Sequence, residues 1–280
     1  MAVIVPGSAP PRWDVYAGMP CWIELATPDL DAACDFYSQL LGWECRDHQA
    51  PGAGRYRMAF REGYPVAGLY QVAEESSRWR LYLAAADCAQ AVSQAEELGA
   101  SLIGDVEELP GVGAKAILQG PSGAEFGLLE PDEELRFDVG LPGTLMWAEL
   151  VTIRAQTADN FFRSMFGYTA EQFGADNRSD YSVWYLGGES VLARVSMIRE
   201  FITPATKPHW LVYLGVTEDG ADELVRSAIQ LGGRVRVDPY DSSMGRVAVL
   251  RDPTGARFAL VDQEQAGEYG TAAIYDPYDD

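Results

Sequence analysis

The sequence predicts an α+β fold made of four copies of one unit, each with a strand, a helix and about three further strands. Two observations lead to this prediction. A long segment of the first half recurs in the second half, and each copy carries a helical pattern of apolar residues between short strand-like runs. The first half also resembles itself, so the units begin near Trp22, Trp79, Trp147 and Trp210.

The long repeat is carried by two segments that align without a gap. WIELATPDLDAACDFYSQLLGW begins at Trp22, and WAELVTIRAQTADNFFRSMFGY begins at Trp147. Further along, GPSGAEFGLLE aligns with DPTGARFALVD. The repeat predicts two domains with three connecting or terminal segments: an N-terminal extension at 1–17, a first domain at 18–131, a linker at 132–142, a second domain at 143–263 and an acidic tail at 264–280.

The helix of each unit is predicted by its ends and its periodicity. In the first unit Thr27, Pro28 and Asp29 are typical of a helix start, with an N-cap, a proline at the first helical position and an acid in the first turn. Apolar residues then recur at helical spacing until Gly42, which indicates the end. The same pattern predicts helices at 88–98, 155–166 and 221–231.

Composition excludes several classes of partner. The chain has 42 acidic and 21 basic residues and a formal net charge of −21, which disfavours nucleic acid and anionic membranes. No apolar run approaches the length of about 18 residues that a spanning helix needs, and the start has no basic region of a secretory signal. The four cysteines lack a CxxC spacing and indicate reduced thiols. We expect a cytoplasmic protein.

Two motifs resemble a known superfamily. The phrase A-T-P-D-x-x-x-A-x-x-F-Y-x-x-x-L-G at 26–42 and the turn D-P-x-G-x-x-F at 252–258 resemble the vicinal oxygen chelate superfamily of glyoxalases, bleomycin-resistance proteins and extradiol dioxygenases. The resemblance is greatest to two-domain bacterial members described as glyoxalase-like or hydroxylase. It implies that βαβββ modules pair into half-open barrels with a concave ligand side. The four modules are therefore expected to form two tandem glyoxalase-like half-barrels.

Strand alternation predicts which residues face each concave side. If Ile23 and Leu25 cover the helix, then Trp22 and Glu24 face the cavity. The repeat and the same reasoning extend the predicted cavity lining to Trp147, Glu149, Trp79, Leu81, Trp210 and Val212. The tryptophans could instead fill small barrels as core. A buried carboxylate must be solvated, paired with a buried Arg or Tyr, or bound to a ligand, so Glu24 and Glu149 are the candidate catalytic residues.

The metal site that the resemblance implies is not matched by this sequence. Metal-using members of the superfamily take His or Gln from the first strand of a module and Glu from the last. Here those positions hold Trp22 and Trp147, and Gly127 and Ala259. The two histidines of the chain lie in different halves, so one barrel cannot assemble a triad of two histidines and a carboxylate. We therefore predict no metal ligands and no cofactor.

The sequence is compatible with four functions. The favoured one is metal-independent binding of an aromatic or cationic metabolite in Trp- and Glu-lined cavities, as in sequestration by bleomycin-resistance relatives. The second adds acid–base catalysis by glutamate in isomerisation, cyclisation or hydration. The others are a metal-dependent glyoxalase, dioxygenase or hydroxylase, and an inert scaffold. The sequence leaves open whether the chain is an enzyme of secondary metabolism, such as a lyase, isomerase or hydroxylase, and whether it is a monomer or a homodimer.

Overall fold

A computed structural model gives the structure of the 280-residue chain. It describes residues 16–49, 54–73, 76–133, 135, 137, 139–173, 180–196, 207–216 and 220–263. The predicted tail at 264–280 lies outside the described residues, as does the predicted N-terminal extension except for its last two residues. No helix in the described part of the chain is long and apolar enough to cross a bilayer.

The first half forms one eight-stranded sheet with two helices. Its elements are β1 (Pro20–Thr27), α1 (Leu30–Leu41), β2 (Glu44–His48), β3 (Tyr56–Arg61), β4 (Tyr64–Gln71), β5 (Arg78–Ala84), α2 (Cys88–Glu97), β6 (Ser101–Leu109), β7 (Gly113–Gln119) and β8 (Glu125–Pro131). The strand order is β2-β3-β4-β1-β5-β8-β7-β6. The two modules meet where β1 and β5 pair antiparallel. Within each module the first strand pairs parallel with the last.

The second half repeats this arrangement. Its elements are β9 (Leu145–Thr152), α3 (Ala155–Phe166), β10 (Thr169–Phe173), β11 (Asp180–Leu186), β12 (Glu189–Ser196), β13 (His209–Gly215), α4 (Ala221–Gln230), β14 (Arg234–Ser242), β15 (Gly245–Arg251) and β16 (Arg257–Asp262). The strand order is β10-β11-β12-β9-β13-β16-β15-β14. The predicted α+β fold, with four βαβββ modules paired into two tandem half-barrels, is confirmed.

The start of α1 differs from the prediction by two residues. Asp29, not Thr27, is the N-cap, because its carboxylate accepts a hydrogen bond from the backbone N–H of Ala32 at 3.0 Å. Thr27 is still paired with Gln71 of β4, so its backbone belongs to the sheet. The predicted end is correct: Gly42 adopts the left-handed conformation with φ 71°.

The helix-facing sides of both sheets share one apolar core with the buried faces of the four described helices. Helices α1 and α3 each contact the other half of the chain. Phe36 of α1 packs edge-on against Phe258 of β16 with ring centroids 6.0 Å apart. Phe161 and Phe162 of α3 pack against Phe126 of β8 at 5.8 and 5.6 Å. Because these rings are buried in common, neither half can lose its core without exposing part of the other.

Polar groups inside this core also join the halves. The hydroxyl of Tyr37 on α1 donates to Asp252 at 3.0 Å, and the indole N–H of Trp79 donates to Tyr37 at 3.0 Å. Asp252 opens the turn that the D-P-x-G-x-x-F motif encodes, and it also accepts from the backbone N–H groups of Thr254 and Ala256. A motif residue of the second half is therefore held by a helix of the first.

Each sheet has a second, separate apolar cluster on its concave side. The first consists of Cys21, Trp22, Tyr56, Met58, Tyr82, Ala84, Leu109, Val112 and Leu129. The second consists of Val151, Leu211, Tyr213, Val237, Val247, Val249, Ala259 and Val261. Leu135 and Phe137, from the segment predicted as a linker, pack against the first cluster. The linker therefore helps to close the first half-barrel.

Replacing Tyr37 with Phe is expected to lower the free energy of unfolding by about 1–3 kcal/mol, because Asp252 loses a buried donor and Trp79 a buried acceptor. Denaturant unfolding measures this change. Tyr16→Phe is the matched control, since Tyr16 is exposed and its loss should have no effect. Equal stability of the two variants would contradict the assigned contacts.

Candidate functional site

The concave site of each half is built around the glutamate of the central strand. Trp22 lies directly opposite Tyr82 in the β1–β5 pair, and Glu24 lies opposite Arg80. Directly opposed residues share a face of the sheet, and Trp22 and Tyr82 belong to the concave cluster. Glu24 is therefore on the concave side, where strand alternation placed it.

The same holds in the second half. Trp147 lies opposite Tyr213 and Glu149 lies opposite Leu211 in the β9–β13 pair. Tyr213 and Leu211 belong to the second concave cluster, and Trp147 packs against it. Both glutamates therefore lie on concave faces, at corresponding positions of the repeat.

The predicted side is wrong for Trp79, Leu81, Trp210 and Val212. All four belong to the common core on the helix side. Trp79 and Leu81 lie opposite the helix-facing residues Leu25 and Ile23, and Trp210 lies opposite Leu150.

The error comes from the register of the module repeat. Glu24 pairs with Gly68 on the last strand of its module, and Tyr82 pairs with Gly127 in the same way. Tyr82 is thus the structural counterpart of Glu24. Superimposing Trp79 on Trp22 misses this register by one residue, and a slip of one residue turns every side chain to the other face.

In the first half Glu24 is completely buried and fully paired. Its carboxylate accepts hydrogen bonds from the hydroxyl groups of Tyr56, at 2.9 Å, and Tyr82. Lys115 Nζ on β7 donates to both carboxylate oxygens, at 2.7 and 2.8 Å. The ammonium group also lies 5.5–5.7 Å from the ring centroids of Tyr56, Tyr70 and Tyr82. The ion pair is therefore enclosed by aromatic rings.

In the second half Glu149 keeps the tyrosines but not the cation. It is buried and accepts hydrogen bonds from Tyr181 at 3.0 Å and Tyr213 at 2.7 Å. No Lys, Arg or His among the described residues forms an ion pair with it. Trp147 Nε1 is buried and lowers the pKa of Glu149, although it has no hydrogen bond of normal geometry in the described part of the chain.

The position of the missing cation follows from the strand register. Lys115 lies opposite Leu129 in the β7–β8 pair. Val261 corresponds to Leu129 in the repeat, and Val247 lies opposite it in the β15–β16 pair. Val247 therefore occupies the place of Lys115. The two halves keep one glutamate and two tyrosines in common and differ in the group that neutralises the glutamate.

This difference shifts the two carboxyl pKa values in opposite directions. Burial raises the pKa of Glu24, but the charge of Lys115 and hydrogen bonds from Lys115 and the tyrosines outweigh it, so that this pKa lies below its ordinary value. Burial also raises the pKa of Glu149, and hydrogen bonds from Tyr213, Tyr181 and Trp147 only partly offset it. Of the two carboxyl groups, Glu149 is therefore the one that exchanges its proton at a pH above the ordinary range of glutamate.

The two concave faces also differ in exposure. Trp22 is fully buried and packs edge-on against Phe137 with ring centroids 5.1 Å apart. Trp147, at the corresponding position, is half-buried, and so are three further residues around the second cluster: Met146, Tyr240 and Met244. Half-buried residues also surround the first cluster, namely Phe60, Tyr70, Ile117, Leu135 and Phe137, so the two faces differ chiefly at the tryptophan, which is covered in the first half and partly exposed in the second.

The residues at the expected metal-ligand positions do not fit a metal. Trp22 and Trp147 stand where His or Gln would be needed, and Ala259 where Glu would be needed. At Gly127 a Cβ would lie 2.0 Å from the ring of Tyr82, so a glutamate cannot be accommodated beside that ring. Within the described residues no three His, Cys, Asp or Glu side chains are close enough to hold an ion.

Sequence reasoning missed the residues that surround the glutamates. Tyr56 and Tyr181 coincide in the repeat, which is a signal that could have placed them beside Glu24 and Glu149. Lys115 carries a weaker signal, because it is the one charged residue of its strand.

Comparison with solved structures first defines the class of fold. The chain is similar to the Mn(II)-bound glyoxalase from Novosphingobium aromaticivorans, with a TM-score of 0.60, 17% sequence identity and coverage of 90% of this chain and 86% of that one. At this identity the similarity concerns the fold alone. It is the fold of two tandem βαβββ pairs that the strand order shows.

Sequence comparison then defines the family. Residues 22–129 match the model of the glyoxalase-like domain. The chain is 33% identical to the anthracycline biosynthesis protein DauV of Streptomyces sp. (strain C5), over 89% of this chain and 94% of that protein. It is 31% identical to the putative glyoxylase CFP32 of Mycobacterium tuberculosis, over 90% and 97%. The chain belongs to the glyoxalase-like proteins of the vicinal oxygen chelate superfamily, whose fold implies a small-molecule ligand.

Glu24→Gln and Glu149→Gln are expected to affect stability with opposite dependence on pH. Glu24→Gln leaves Lys115 buried without its charge partner and should cost about 3–5 kcal/mol at neutral pH. Its cost shrinks as the pH falls below the ordinary range of a glutamate, because the unfolded parent then takes up a proton and, at still lower pH, Glu24 itself becomes protonated. Glu149→Gln should become more stable relative to the parent as the pH rises above 4.5, because the parent must then ionise a buried carboxyl. Denaturant unfolding between about pH 2 and 8 measures both, and parallel curves would contradict the assigned environments.

Protein reconstituted anaerobically with iron, manganese, nickel and zinc, and then desalted, is expected to retain far less than one metal ion per chain, because the donor positions hold Trp, Gly and Ala. Elemental analysis measures the retained metal. Retention near one equivalent would show that donors outside the expected positions form a site, and Glu149→Gln would test whether that carboxyl is one of them.

Proposed function

We propose that this protein binds an aromatic or cationic metabolite on the concave side of its second half-barrel, without a metal ion, and that Glu149 contacts the ligand. One observation carries the proposal. Glu149 is a buried carboxyl with a raised pKa, two tyrosine hydrogen bonds and no cation among the described residues, next to the half-buried indole of Trp147. Such a carboxyl gains most from a polar or charged ligand group.

The rim of this half-barrel suits a planar aromatic ligand. Trp147 and Tyr240 offer ring faces, and Met146 and Met244 offer polarizable thioethers that adapt to the shape of a ligand. DauV is named as an anthracycline biosynthesis protein, and an anthracycline contains a planar system of fused rings. This relative supports an aromatic metabolite as ligand and a role in secondary metabolism.

Glu149 has the properties of a general acid or base. Its raised pKa brings proton exchange towards neutral pH, and the hydroxyl groups of Tyr181 and Tyr213 hold the carboxyl in one orientation. Isomerisation, cyclisation or hydration of the ligand would use such a group. A sequestering protein would use the same contacts without proton transfer.

Glu24 and Trp22 take a structural part in this proposal. The ion pair with Lys115 leaves Glu24 no free charge, and both residues are completely buried. The hypothesis of a filled barrel thus suits the first half, and the hypothesis of a ligand site suits the second. For a metal-dependent glyoxalase, dioxygenase or hydroxylase reaction the expected donor positions offer no ligand.

Binding of 1,8-dihydroxyanthraquinone, followed by calorimetry, tests the site. Trp147→Ala should weaken binding by about tenfold or more, because a stacking surface is lost. Ile229→Ala, an exposed position on α4, is the matched control and should leave the affinity unchanged. Equal affinity of parent and Trp147→Ala, or no binding to the parent, would contradict the proposed site.

Glu149→Gln then separates enzyme from carrier, because Gln keeps the shape of the side chain and cannot transfer the proton. An enzyme should lose about 10²-fold or more in turnover and keep its affinity for a neutral hydroxyanthraquinone. A carrier has no turnover to lose. Product analysis of hydroxyanthraquinones incubated with the parent and the variant measures the difference.

A further inference from the structure

In the first half-barrel, the side chain of Lys115 occupies a site that could equally hold the ammonium group of a small molecule. Lys115 Nζ is an ammonium group that contacts both oxygens of Glu24 at 2.7 and 2.8 Å. Three tyrosine rings surround it with centroids 5.5–5.7 Å away. A carboxylate combined with aromatic faces is a common chemistry for recognition of an organic ammonium ion. Here the ion is supplied by the chain itself.

The second half-barrel keeps the glutamate and two of the tyrosines that surround the ammonium group in the first. Glu149 corresponds to Glu24, and Tyr181 and Tyr213 donate to it as Tyr56 and Tyr82 do in the first half. The second half-barrel differs from the first in lacking the lysine, because Val247 occupies the position that corresponds to Lys115.

Further aromatic groups surround the place of the missing ammonium. Tyr240 lies directly opposite Val247 in the β14–β15 pair, and it is close enough to Tyr181 to affect its pKa. Trp147 lies on the same concave face, opposite Tyr213. Both Tyr240 and Trp147 are half-buried, so this side of the site reaches solvent.

We propose that the second half-barrel binds its ligand through a protonated amine whose nitrogen takes the place beside Glu149 that Lys115 Nζ has beside Glu24. The inference rests on the proposed function, namely that this half-barrel binds a small molecule. It narrows the ligand class to organic ammonium compounds with an aromatic or apolar body. The ammonium neutralises the buried carboxylate, and the body lies against Trp147 and Tyr240 at the rim.

The charge balance of the site favours such a ligand over a neutral one of equal shape. A neutral ligand leaves the ionised form of Glu149 without a counter-charge in a buried setting, or requires the carboxyl to stay protonated. An ammonium ligand supplies the counter-charge and a charge-assisted hydrogen bond. The first half shows that this fold accommodates the pair at that position, because Lys115 and Glu24 are both buried there.

A matched pair of probes tests the proposal: 2-naphthylmethylamine and 2-naphthylmethanol, which share one ring system and differ in the ammonium group. Calorimetry at pH 7 on the full chain should show at least tenfold tighter binding of the amine. In Glu149→Gln this preference should fall to about threefold or less, because the charge partner is gone. In Ile229→Ala, which lies on the helix side, it should be unchanged.

Val247→Lys is the reciprocal variant, since it supplies the second half with an internal ammonium of the kind found in the first. It should lose binding of the amine. If it fails to fold, the Glu149→Gln comparison still decides the question, because Gln is isosteric with the native residue. A preference for the amine that survives in Glu149→Gln would overturn the proposal.

The outcomes for the two probes also separate this inference from the proposed function. Equal affinities for amine and alcohol, with 1,8-dihydroxyanthraquinone bound, would overturn the ammonium site and leave the aromatic site standing. Binding of none of the three probes would overturn both.

Discussion

A carboxylate buried in the middle of each sheet is the constraint on which both concave faces depend. Glu24 and Glu149 lie on the central strands β1 and β9, where an isolated charge would cost several kcal/mol. In the first half, the ion pair with Lys115 and three tyrosine rings around its ammonium group offset this cost. The second half keeps two tyrosines and has Val247 in place of the lysine, so that no cation among the described residues neutralises Glu149.

The shared core explains how the two concave faces can differ in their side chains and still belong to one structure. Phe36 with Phe258, and Phe126 with Phe162, join helix and sheet across the halves on the side away from the concave faces. The two concave clusters are separate from this common core and from each other, so one concave face can change without altering the packing of the other. In the first half-barrel, for example, Phe137 packs on Trp22 and helps to fill the concave side.

Much of the fold and part of the site follow from local patterns. The repeat and the helix signals predicted four modules, and strand alternation placed Glu24 and Glu149 on the concave sides because side chains alternate strictly along a strand. The predicted face was wrong for Trp79, because aligning the two modules by sequence similarity missed the strand register by one residue. Thr27 was misplaced for a related reason: its pairing with β4 keeps it in the sheet, which no neighbouring residue reveals.

The sequence by itself determined the duplicated α+β architecture and the helix ends at Gly42 and Gly167, because each depends on residues near one another in the chain. Only the tertiary structure decided which of the two glutamates is paired with a lysine. Lys115 is far from Glu24 in sequence and meets it only when β7 and β1 curve around the same concave face. The electrostatics of a buried group depend on such distant neighbours, so they appear only when the sheet is assembled.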